Sequence, residues 1–254
     1  MPIIGANHIV NTDISEIKIV SLVPSITELL CHLGFSKNIV ACTKFCEHPE
    51  SLKSNIKQIG GTKNPRTDDI LALEPDIVFA NKEENRKEDV LALSTALDVH
   101  VSDINSVSDF SDFVTEIGQI LAIDNTASAF NAQLDTLLQS IKNLPTKNVI
   151  YLIWKKPYMA AGKGTYIDSV LEACGLNNLI TQERYPELSI EEIKERHPEC
   201  ILLSSEPYPF NKQDIQEMKN ETVTDVKLVD GELFSWYSNR IFHIESHLKA
   251  LHNY

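Results

Sequence analysis

The chain has 254 residues, enough to bury one large or two small hydrophobic cores. Its formal net charge of −13 argues against nucleic acid or an anionic membrane surface as the main partner, because binding either requires clustered lysine and arginine. No segment approaches the ~18 apolar residues that a membrane-spanning helix needs. Five cysteines, an odd number without paired spacing, favour free buried thiols in a reducing compartment.

Buried-type strands alternate with helices through the first hundred residues. Residues 3–12 are predicted to form a short edge strand. The buried-type strands that follow are residues 17–23, 38–42, 76–80 and 99–101. Pro24 opens the first helix, where Ser25 and Glu28 are spaced as a capping box. The alternation predicts a parallel sheet, and ligands bind such sheets at the carboxyl ends of the strands. That rule places four loops on one rim, which are residues 43–49, 60–65, 81–85 and 103–105.

One long helix is predicted near the middle of the chain, with Asp124 as its N-cap and Pro145 as its terminator. Apolar residues recur along it at steps of three and four, namely Ala127, Phe130, Leu134, Leu137, Leu138 and Ile141. About 19 helical residues would span roughly 28 Å, the width of a small domain. Because periodicity alone is also typical of an ordinary core-packed helix, the flanking sequences decide its role.

The sequences on the two sides of this helix match each other twice. Residues 24–34 resemble 164–175, each a helix ended by a glycine. Residues 68–79 resemble 191–202, each a short helix opened by two acids and followed by a proline and a strand. Helix–proline–strand units are common in α/β proteins, but two matches in the same order favour duplicated lobes.

The predicted fold class is therefore α/β, with two small doubly wound lobes of mainly parallel sheets joined by one long α-helix. The predicted boundaries are 1–105 for the N-terminal lobe, 106–145 for the helical linker and 146–254 for the C-terminal lobe. In the second lobe, Ser189 and Glu192 form another capping-box pattern. Its predicted strands are residues 148–154, 158–161, 200–204 and 226–229. The loops 181–188, 206–210 and 230–240 form its rim, and a terminal helix begins at about Asn239.

Several of these segments, taken in order, resemble one family. They read IVSLVPSITELL, TKFCEHP, GGTKNP, EPDIVFANKEENRKEDV, VLEACGLNN and DGELFSWYSNRI. Together they resemble the class III, or helical-backbone, substrate-binding proteins of metal-chelate ABC importers, and they are most similar to the cobalamin-binding members. The resemblance covers nearly the whole chain. It implies two lobes bridged by a long helix, with the ligand in a shallow cleft between them.

The rim loops carry the residues expected to bind this ligand. A large, flat and partly apolar chelate, such as a corrin or porphyrin, needs stacking area and a few polar anchors. Candidates for the stacking area are Phe45, Trp154, Tyr158, Met159, Tyr185, Trp236 and Tyr237. Aromatic residues that follow strands also serve as core plugs, so each candidate has a structural alternative.

The resemblance assigns roles to some of these positions. Phe45, Tyr185 and Trp236 fall where cobalamin-binding relatives have cleft residues, and Glu232 falls at a polar anchor. Asn81 and Thr62 replace cleft aromatics of those relatives. Because both replacements thin the apolar lining, a smaller or more polar chelate stays open as the ligand.

The loop after the second strand also has ligand-like spacing for a transition metal. It brings together Cys42, Cys46, Glu47 and His48. No second cluster completes four ligands, so structural zinc is disfavoured, and Cys46 or His48 would instead reach the metal of a bound chelate. Glu47 and His48 therefore join the predicted ligand-binding residues. Neither a phosphate loop nor a nucleophile elbow is written in the sequence, so no catalytic residue and no required cofactor are assigned.

Two acids form a separate prediction. The second internal match makes Asp68 and Glu191 equivalent positions in the two lobes. In importer-linked relatives, one surface acid on each lobe docks on basic pockets of the permease, and these two residues fall at those places. The alternative is that each acid only complements the helix dipole.

The sequence thus predicts a monomeric, non-catalytic binding protein for a metal chelate, which it delivers to an ABC importer. A cobalamin-like corrinoid is the first candidate ligand, with haem or a ferric siderophore next. The alternative is a cytoplasmic corrinoid-handling or metal-cofactor-handling protein, or an enzyme, that uses the same fold without an importer. The N-terminus MPIIGANHIVNTDISEIK has no signal-peptide pattern, which predicts a cytoplasmic location, or a periplasmic or surface-tethered one if a leader precedes Met1.

Overall fold

Two compact units make up the computed structural model, which describes residues 14–53, 56–142 and 144–252. The first unit contains residues 14–104, 112–131 and 237–239, and the second contains 105–111, 132–236 and 240–252. The edge strand predicted at residues 3–12 lies outside the described residues. The lobe boundaries at residues 105 and 145 stay a prediction.

The first unit is built on a parallel sheet of the strands β1 (Ile19–Ser21), β2 (Ile39–Cys42), β3 (Lys57–Gln58), β6 (Ile77–Asn81) and β7 (Val99–Ser102). The short strands β4 (Gly60–Gly61) and β5 (Asn64–Pro65) form a separate antiparallel hairpin. The helices that accompany them are α1 (Pro24–Leu30), α2 (Glu50–Lys53), α3 (Thr67–Leu71) and α4 (Lys87–Ser94). The order in the sheet is β3–β2–β1–β6–β7, and each pairing is parallel. Every residue of β1, β6 and β7 is buried, as expected for a parallel sheet that is covered on both faces.

The start of α1 differs from its predicted form. Ser25 does not cap the helix, because α1 begins at Pro24 and its N-cap is Val23, which makes no side-chain capping hydrogen bond. Proline suits the first helical position, where the missing N–H would have no intrahelical partner. The Thr27 N–H and the Thr27 hydroxyl both donate to the Val23 carbonyl, each at 2.9 Å. The capping box predicted from Ser25 and Glu28 is therefore wrong.

The second unit is built on a mixed sheet. Its strands are β8 (Lys147–Trp154), β9 (Tyr158–Ala160), β10 (Leu176–Asn178), β11 (Glu187–Leu188), β12 (Cys200–Ser204) and β13 (Asp225–Val229). Strands β10, β8, β12 and β13 are parallel, whereas β9 pairs antiparallel with β8 and β11. The helices are α7 (Tyr166–Ala173), α8 (Ile190–Glu195), α9 (Lys212–Thr222), α10 (Gly231–Ser235) and α11 (Ile244–His252).

The two sheets share a parallel core of the same order. Strands β2–β1–β6–β7 in the first unit correspond to β10–β8–β12–β13 in the second. The two internal sequence matches agree with this correspondence. Helix α1 is equivalent to α7, and α3 followed by β6 is equivalent to α8 followed by β12. The capping box at Ser189 is confirmed, because the Glu192 N–H donates to the Ser189 hydroxyl at 3.2 Å and the Ser189 N–H donates to the Glu192 carboxylate at 2.7 Å.

The predicted long helix is α6 (Asp124–Ile141), which follows α5 (Val107–Ile120). Both helices have residues in each unit. The predicted apolar stripe of α6 is confirmed at five of its six positions, because Ala127, Phe130, Leu134, Leu137 and Ile141 are buried, whereas Leu138 is half-buried. Among the described residues, no helix is long and apolar enough to cross a membrane. The predicted α/β class with mainly parallel sheets is confirmed.

Candidate ligand-binding site

In the first unit, Phe45 projects from the loop after β2. Its side chain is 49% exposed, and the Lys44 ammonium lies 5.0 Å above the ring centroid. A Cβ at Gly61 would lie 3.3 Å from Cε2 of Phe45, so the ring rests close to the β4–β5 hairpin. Large exposed apolar side chains are few in the described chain, and its two exposed aromatics, Phe45 and Trp154, are both predicted ligand-binding residues.

Cys46 follows Phe45 in the chain and is 3% exposed. Its Sγ is 3.1 Å from the Thr27 hydroxyl and 3.3 Å from the Thr43 hydroxyl. A hydrogen bond from the Cys42 thiol is the main cause that lowers the pKa of Cys46, and the two threonine hydroxyls add to it. The same bond and burial raise the pKa of Cys42. Cys46 is thus enclosed within its unit, where its sulfur is already hydrogen-bonded.

Glu47 and His48 follow in the same loop, with Glu47 exposed and His48 half-buried. Of the two residues predicted to reach the metal of a chelate, His48 is therefore the one that retains exposure. Within the described parts of the chain, no group of three or more histidine, cysteine or acidic side chains is placed to hold a metal ion. All five cysteines are free, as the sequence predicted.

Asn81 ends β6 and is 2% exposed. Its Oδ1 accepts from the backbone N–H groups of Glu83 and Glu84 at 2.8 and 3.1 Å, and its Nδ2 donates to the Ser102 hydroxyl at 3.1 Å. These bonds give Asn81 a part in shaping its own loop, and the ligand contact predicted for it stays a prediction. Tyr237 also belongs to the first unit and is buried, and its predicted place among the stacking residues likewise stays a prediction.

In the second unit, Trp154 lies at the end of β8 and is 39% exposed. Its ring meets Tyr208 edge-on at 5.6 Å, and Tyr208 meets Phe210 at 4.7 Å, so three aromatics pack in series. Tyr158 and Met159 are half-buried in the adjoining strand β9. The hairpin that joins the two strands is therefore lined with apolar surface.

Lys155 anchors this hairpin to α9. Its Nζ donates to Asp214 at 2.6 Å and to Glu217 at 2.5 Å, and its side chain is only 11% exposed. The hydrogen bond to Asp214 and then that to Glu217 raise the pKa of Lys155. Because the ammonium stays charged, the ion cluster fixes the turn that presents Trp154 and Tyr158.

Tyr185 lies in a segment that is fastened to the turn after β9. The N–H of Gly162 donates to the Arg184 carbonyl at 2.7 Å, and the Arg184 N–H donates to the Lys163 carbonyl at 2.8 Å. A Cβ at Gly162 would lie 2.2 Å from the Gln182 carbonyl oxygen, so this close approach needs glycine. The Arg184 guanidinium lies 5.4 Å from the Tyr185 ring centroid, which holds the half-buried ring in place.

Trp236 follows α10, and its indole ring has a hydrogen-bond partner at the N–H and a cation over one face. Its indole N–H donates to the Glu206 carboxylate at 2.9 Å, and the Arg240 guanidinium lies 5.1 Å from the ring centroid. Arg240 is in turn 3.0 Å from Glu232. The predicted polar anchor Glu232 is therefore part of an ion pair beside Trp236. The helix α10 itself replaces part of the loop predicted at residues 230–240 because the Asp230 side chain caps the Glu232 N–H at 3.1 Å.

Comparison with known proteins assigns this arrangement to a family. Residues 19–227 match the family model described as periplasmic binding protein. The chain belongs to the periplasmic binding protein family. This assignment confirms the resemblance noted in the sequence.

Named proteins of related sequence or fold give the context. The vitamin B12-binding protein of Vibrio campbellii is 25% identical over 200 residues, which cover 74% of this chain and 70% of that protein. The solved periplasmic heme binding protein of Pseudomonas aeruginosa has a TM-score of 0.79 at 20% identity and covers 92% of this chain and 91% of its own. The periplasmic vitamin B12 binding protein of Vibrio cholerae has a TM-score of 0.73 at 18% identity, with 92% and 95% covered. At these identities the solved structures show that the fold is shared.

The two acids predicted to dock this binding protein lie at equivalent places in the two units. Asp68 is in the first turn of α3 and Glu191 in the first turn of α8, and both are exposed. Each of these acids is followed by a second acid that binds within its own unit. Asp69 forms an ion pair with Arg66 at 2.6 Å, and Glu192 closes the capping box. Neither Asp68 nor Glu191 has a side-chain partner among the described residues.

Sequence reasoning missed several residues that support the aromatic side chains. These residues are Lys155, Tyr208, Glu206 and Arg240. Tyr208 lies in the aromatic loop 206–210, which was an available signal. Glu206 and Lys155 had no signal, because their partners lie 30 and 59 residues away in the chain.

Proposed function

We propose that this member of the periplasmic binding protein family is a non-catalytic receptor for a metal chelate, with a cobalamin-like corrinoid as the first candidate. The observation that carries the proposal is the set of exposed or half-buried aromatic side chains on fixed supports, above all Trp154 and Trp236. Aromatic faces held in place suit a flat macrocycle, because stacking contributes affinity and little rotamer freedom is lost on binding.

The named relatives support a chelate as the ligand. Relatives that match at 25% and 26% identity are vitamin B12-binding proteins. Solved proteins of the same fold bind heme or vitamin B12. Haem and ferric siderophores are therefore the next candidates, since each offers a metal in a broad and partly apolar frame.

Each unit has its own candidates for polar contacts to a chelate. In the first unit, Glu47 and His48 adjoin Phe45, and His48 is the candidate for a bond to the metal of the chelate. In the second unit, the ion pair of Glu232 and Arg240 lies beside Trp236. This pair offers both hydrogen-bond acceptors and donors, as the amide side chains of a corrinoid require.

The proposed partner is the permease of an ABC importer, which the chain would meet as a monomer outside the cytoplasmic membrane. Asp68 and Glu191 would dock on basic pockets of that permease. They are suited to this role because they are exposed and acidic, and because neither makes a side-chain hydrogen bond or ion pair among the described residues. Charge pairs of this kind set the rate and orientation of encounter more than the affinity.

The experiment that tests the proposal is calorimetric titration of the purified chain with cyanocobalamin, with haem and with a ferric siderophore. Saturable binding of cyanocobalamin at one molecule per chain is the expected result. Saturation by haem or the siderophore alone would reassign the chelate within the same class. If none of the three binds at micromolar concentration, the receptor proposal fails.

A further inference from the structure

Glu206 is a charged residue whose role no sequence pattern indicates. It lies just after β12, in the loop that faces α10. One of its oxygens, Oε1, accepts two hydrogen bonds, from the indole Nε1–H of Trp236 at 2.9 Å and from the Ser235 hydroxyl at 2.7 Å. Hydrogen bonds to an ionised acceptor are about twice as strong as those between neutral groups. The indole is thus fixed through a bond across 30 residues of sequence.

The stem of Glu206 is itself held by close packing. A Cβ at Gly231 would lie 2.5 Å from Cγ of Glu206 and 2.4 Å from the Ser204 hydroxyl, so only glycine lets α10 approach this loop. The Gly231 N–H donates to the Ser205 hydroxyl at 2.9 Å, and the Ser205 N–H donates to the Val229 carbonyl at 3.0 Å. The loop therefore cannot withdraw from α10 without losing these contacts.

The buried end of the same network reaches the sheet. The hydroxyl of Tyr151, on the fully buried face of β8, donates to the Ser204 hydroxyl at 3.0 Å, and the Glu206 N–H approaches that hydroxyl at 3.4 Å. A chain of contacts thus runs from the core strand β8 to the indole of Trp236. A carboxylate placed on such a support holds its acceptor position before any ligand arrives.

We propose that Glu206 is the positioning residue for Trp236: it fixes the indole in the orientation that receives the chelate. The inference rests on the proposed function, because it assumes that Trp236 contacts the ligand. It assigns to Glu206 a role that acts through the indole rather than by touching the chelate. Preorganising a ring in this way improves affinity, since the rotamer freedom is lost during folding instead of on binding.

Three variants separate this role from its alternatives. Glu206→Ala removes both hydrogen bonds, and Glu206→Gln keeps an acceptor oxygen without the charge. The third is Trp236→Phe, which keeps a ring but lacks the N–H that Glu206 binds. Cyanocobalamin is the probe, and thermal unfolding checks that each variant is folded. We expect Glu206→Ala to weaken binding by about tenfold and Glu206→Gln to stay within about threefold of the parent. In the Trp236→Phe background, adding Glu206→Ala should change affinity by less than about twofold, because coupled residues are not additive.

A measurement without ligand tests the same inference independently. The chain has two tryptophans, so Trp154→Phe leaves Trp236 as the sole indole emitter. In that background, Glu206→Ala should speed the loss of fluorescence anisotropy of the indole, whereas Glu206→Gln should match the Trp154→Phe parent. If the parent binds no chelate but the indole is still released by Glu206→Ala, the receptor proposal fails and the positioning of the indole stands.

Two results would overturn the inference. Unchanged indole mobility in Glu206→Ala would show that the carboxylate does not position the ring. Equal loss of affinity from Glu206→Ala in the parent and in the Trp236→Phe background would show that Glu206 contacts the chelate directly.

Discussion

The two units have the same order of parallel strands but present different chemistry beyond those strands. In the described part of the first unit, the one exposed aromatic is Phe45, and the cation over its ring comes from its chain neighbour Lys44. In the second unit, Trp154 packs on Tyr208 and the indole of Trp236 donates to Glu206, so residues distant in the chain support both rings. A shared topology thus fixes where loops emerge, whereas side-chain partners distant in the chain decide how a ring in those loops is supported.

The largest expected effect comes from removing the rings of the second unit. Trp154→Ala and Trp236→Ala together should weaken cyanocobalamin binding by about 2–6 kcal/mol, since each buried aromatic anchor contributes about 1–3 kcal/mol. Phe45→Ala alone should cost about 1 kcal/mol. Calorimetric titration with cyanocobalamin measures the affinity of each variant.

Leu228→Ala is the matched control for these variants, because Leu228 is 40% exposed in the same unit, much as Trp154 is 39% exposed. Its affinity should equal that of the parent. If Leu228→Ala weakens binding as much as the tryptophan variants, the contrast between the two units does not describe the site.

Ion pairs in the two units should contribute differently to the free energy of unfolding. Lys155 and Asp214 are 11% and 6% exposed, so Lys155→Met leaves a nearly buried carboxylate unpaired and should lower the free energy of unfolding by about 2–4 kcal/mol. The comparison in the first unit is Lys82→Met, whose pair with Asp103 is 63% and 35% exposed and should matter by less than about 1 kcal/mol. Equal losses in chemical denaturation would contradict the contrast.

Both units carry an exposed acid at the same place, Asp68 in α3 and Glu191 in α8, that is proposed to dock on the importer. Asp68→Lys with Glu191→Lys should leave cyanocobalamin affinity unchanged and slow association with the importer by about tenfold, because the steering charges are reversed. Surface plasmon resonance against the reconstituted importer measures that rate. The control reverses two other exposed acids, Glu88→Lys and Glu195→Lys. If the control slows association equally, general charge rather than these two positions governs docking.

Helix ends also differ within the chain. Gly34 and Gly175 take the left-handed conformation after their helices, at φ 102° and 70°, whereas Val223 takes it after α9 at φ 56° and is 91% exposed. A β-branched residue is strained there by about 1–2 kcal/mol, so Val223→Gly should raise the free energy of unfolding by about 1 kcal/mol. Val223→Ala keeps the strain of a Cβ and should gain less. A lower melting temperature for Val223→Gly would contradict this account of the helix end.

The smallest expected effect is a pH dependence in the first unit. Because the pKa of Cys46 is lowered in the folded chain, chiefly by the Cys42 thiol, the thiolate stabilises the fold at high pH. That contribution is complete above the ordinary thiol pKa of about 8.5 and is lost as pH falls toward neutrality.

Cys46→Ser should therefore flatten the rise in unfolding free energy between about pH 7 and 8.5. The raised pKa of Cys42 acts oppositely above that range, so denaturation is compared only within it. Cys174→Ser, on a buried thiol in the second unit, is the control. An identical slope in Cys46→Ser and the parent would contradict the assignment.

Local patterns were sufficient to predict the fold. Proline breakers, acidic first turns and apolar strands follow one another in fixed order on both sides of α6, and each is readable within about ten residues. Where a local signal failed, a neighbour overrode it, as Pro24 did for the capping box at Ser25. Residue type and loop position were likewise enough to select Phe45 and Trp154, both of which are exposed.

The supports of the site were beyond sequence reasoning. Whether a side chain in a loop serves a ligand or its own backbone depends on folded geometry. Asn81 and Cys46, for which the sequence predicts chelate contacts, form hydrogen bonds inside their unit that no local pattern indicates. The partners of Glu206 and Lys155 depend on contacts across 30 and 59 residues. Such pairings leave no periodicity to detect.

The proposed function depends on one contact, that of the supported indoles with a flat chelate. A crystal structure of the chain with cyanocobalamin would show whether that contact exists. We expect the corrin to lie within about 4 Å of the Trp154 and Trp236 side chains. A corrin bound away from both indoles, in a crystal that shows full occupancy, would contradict the proposal.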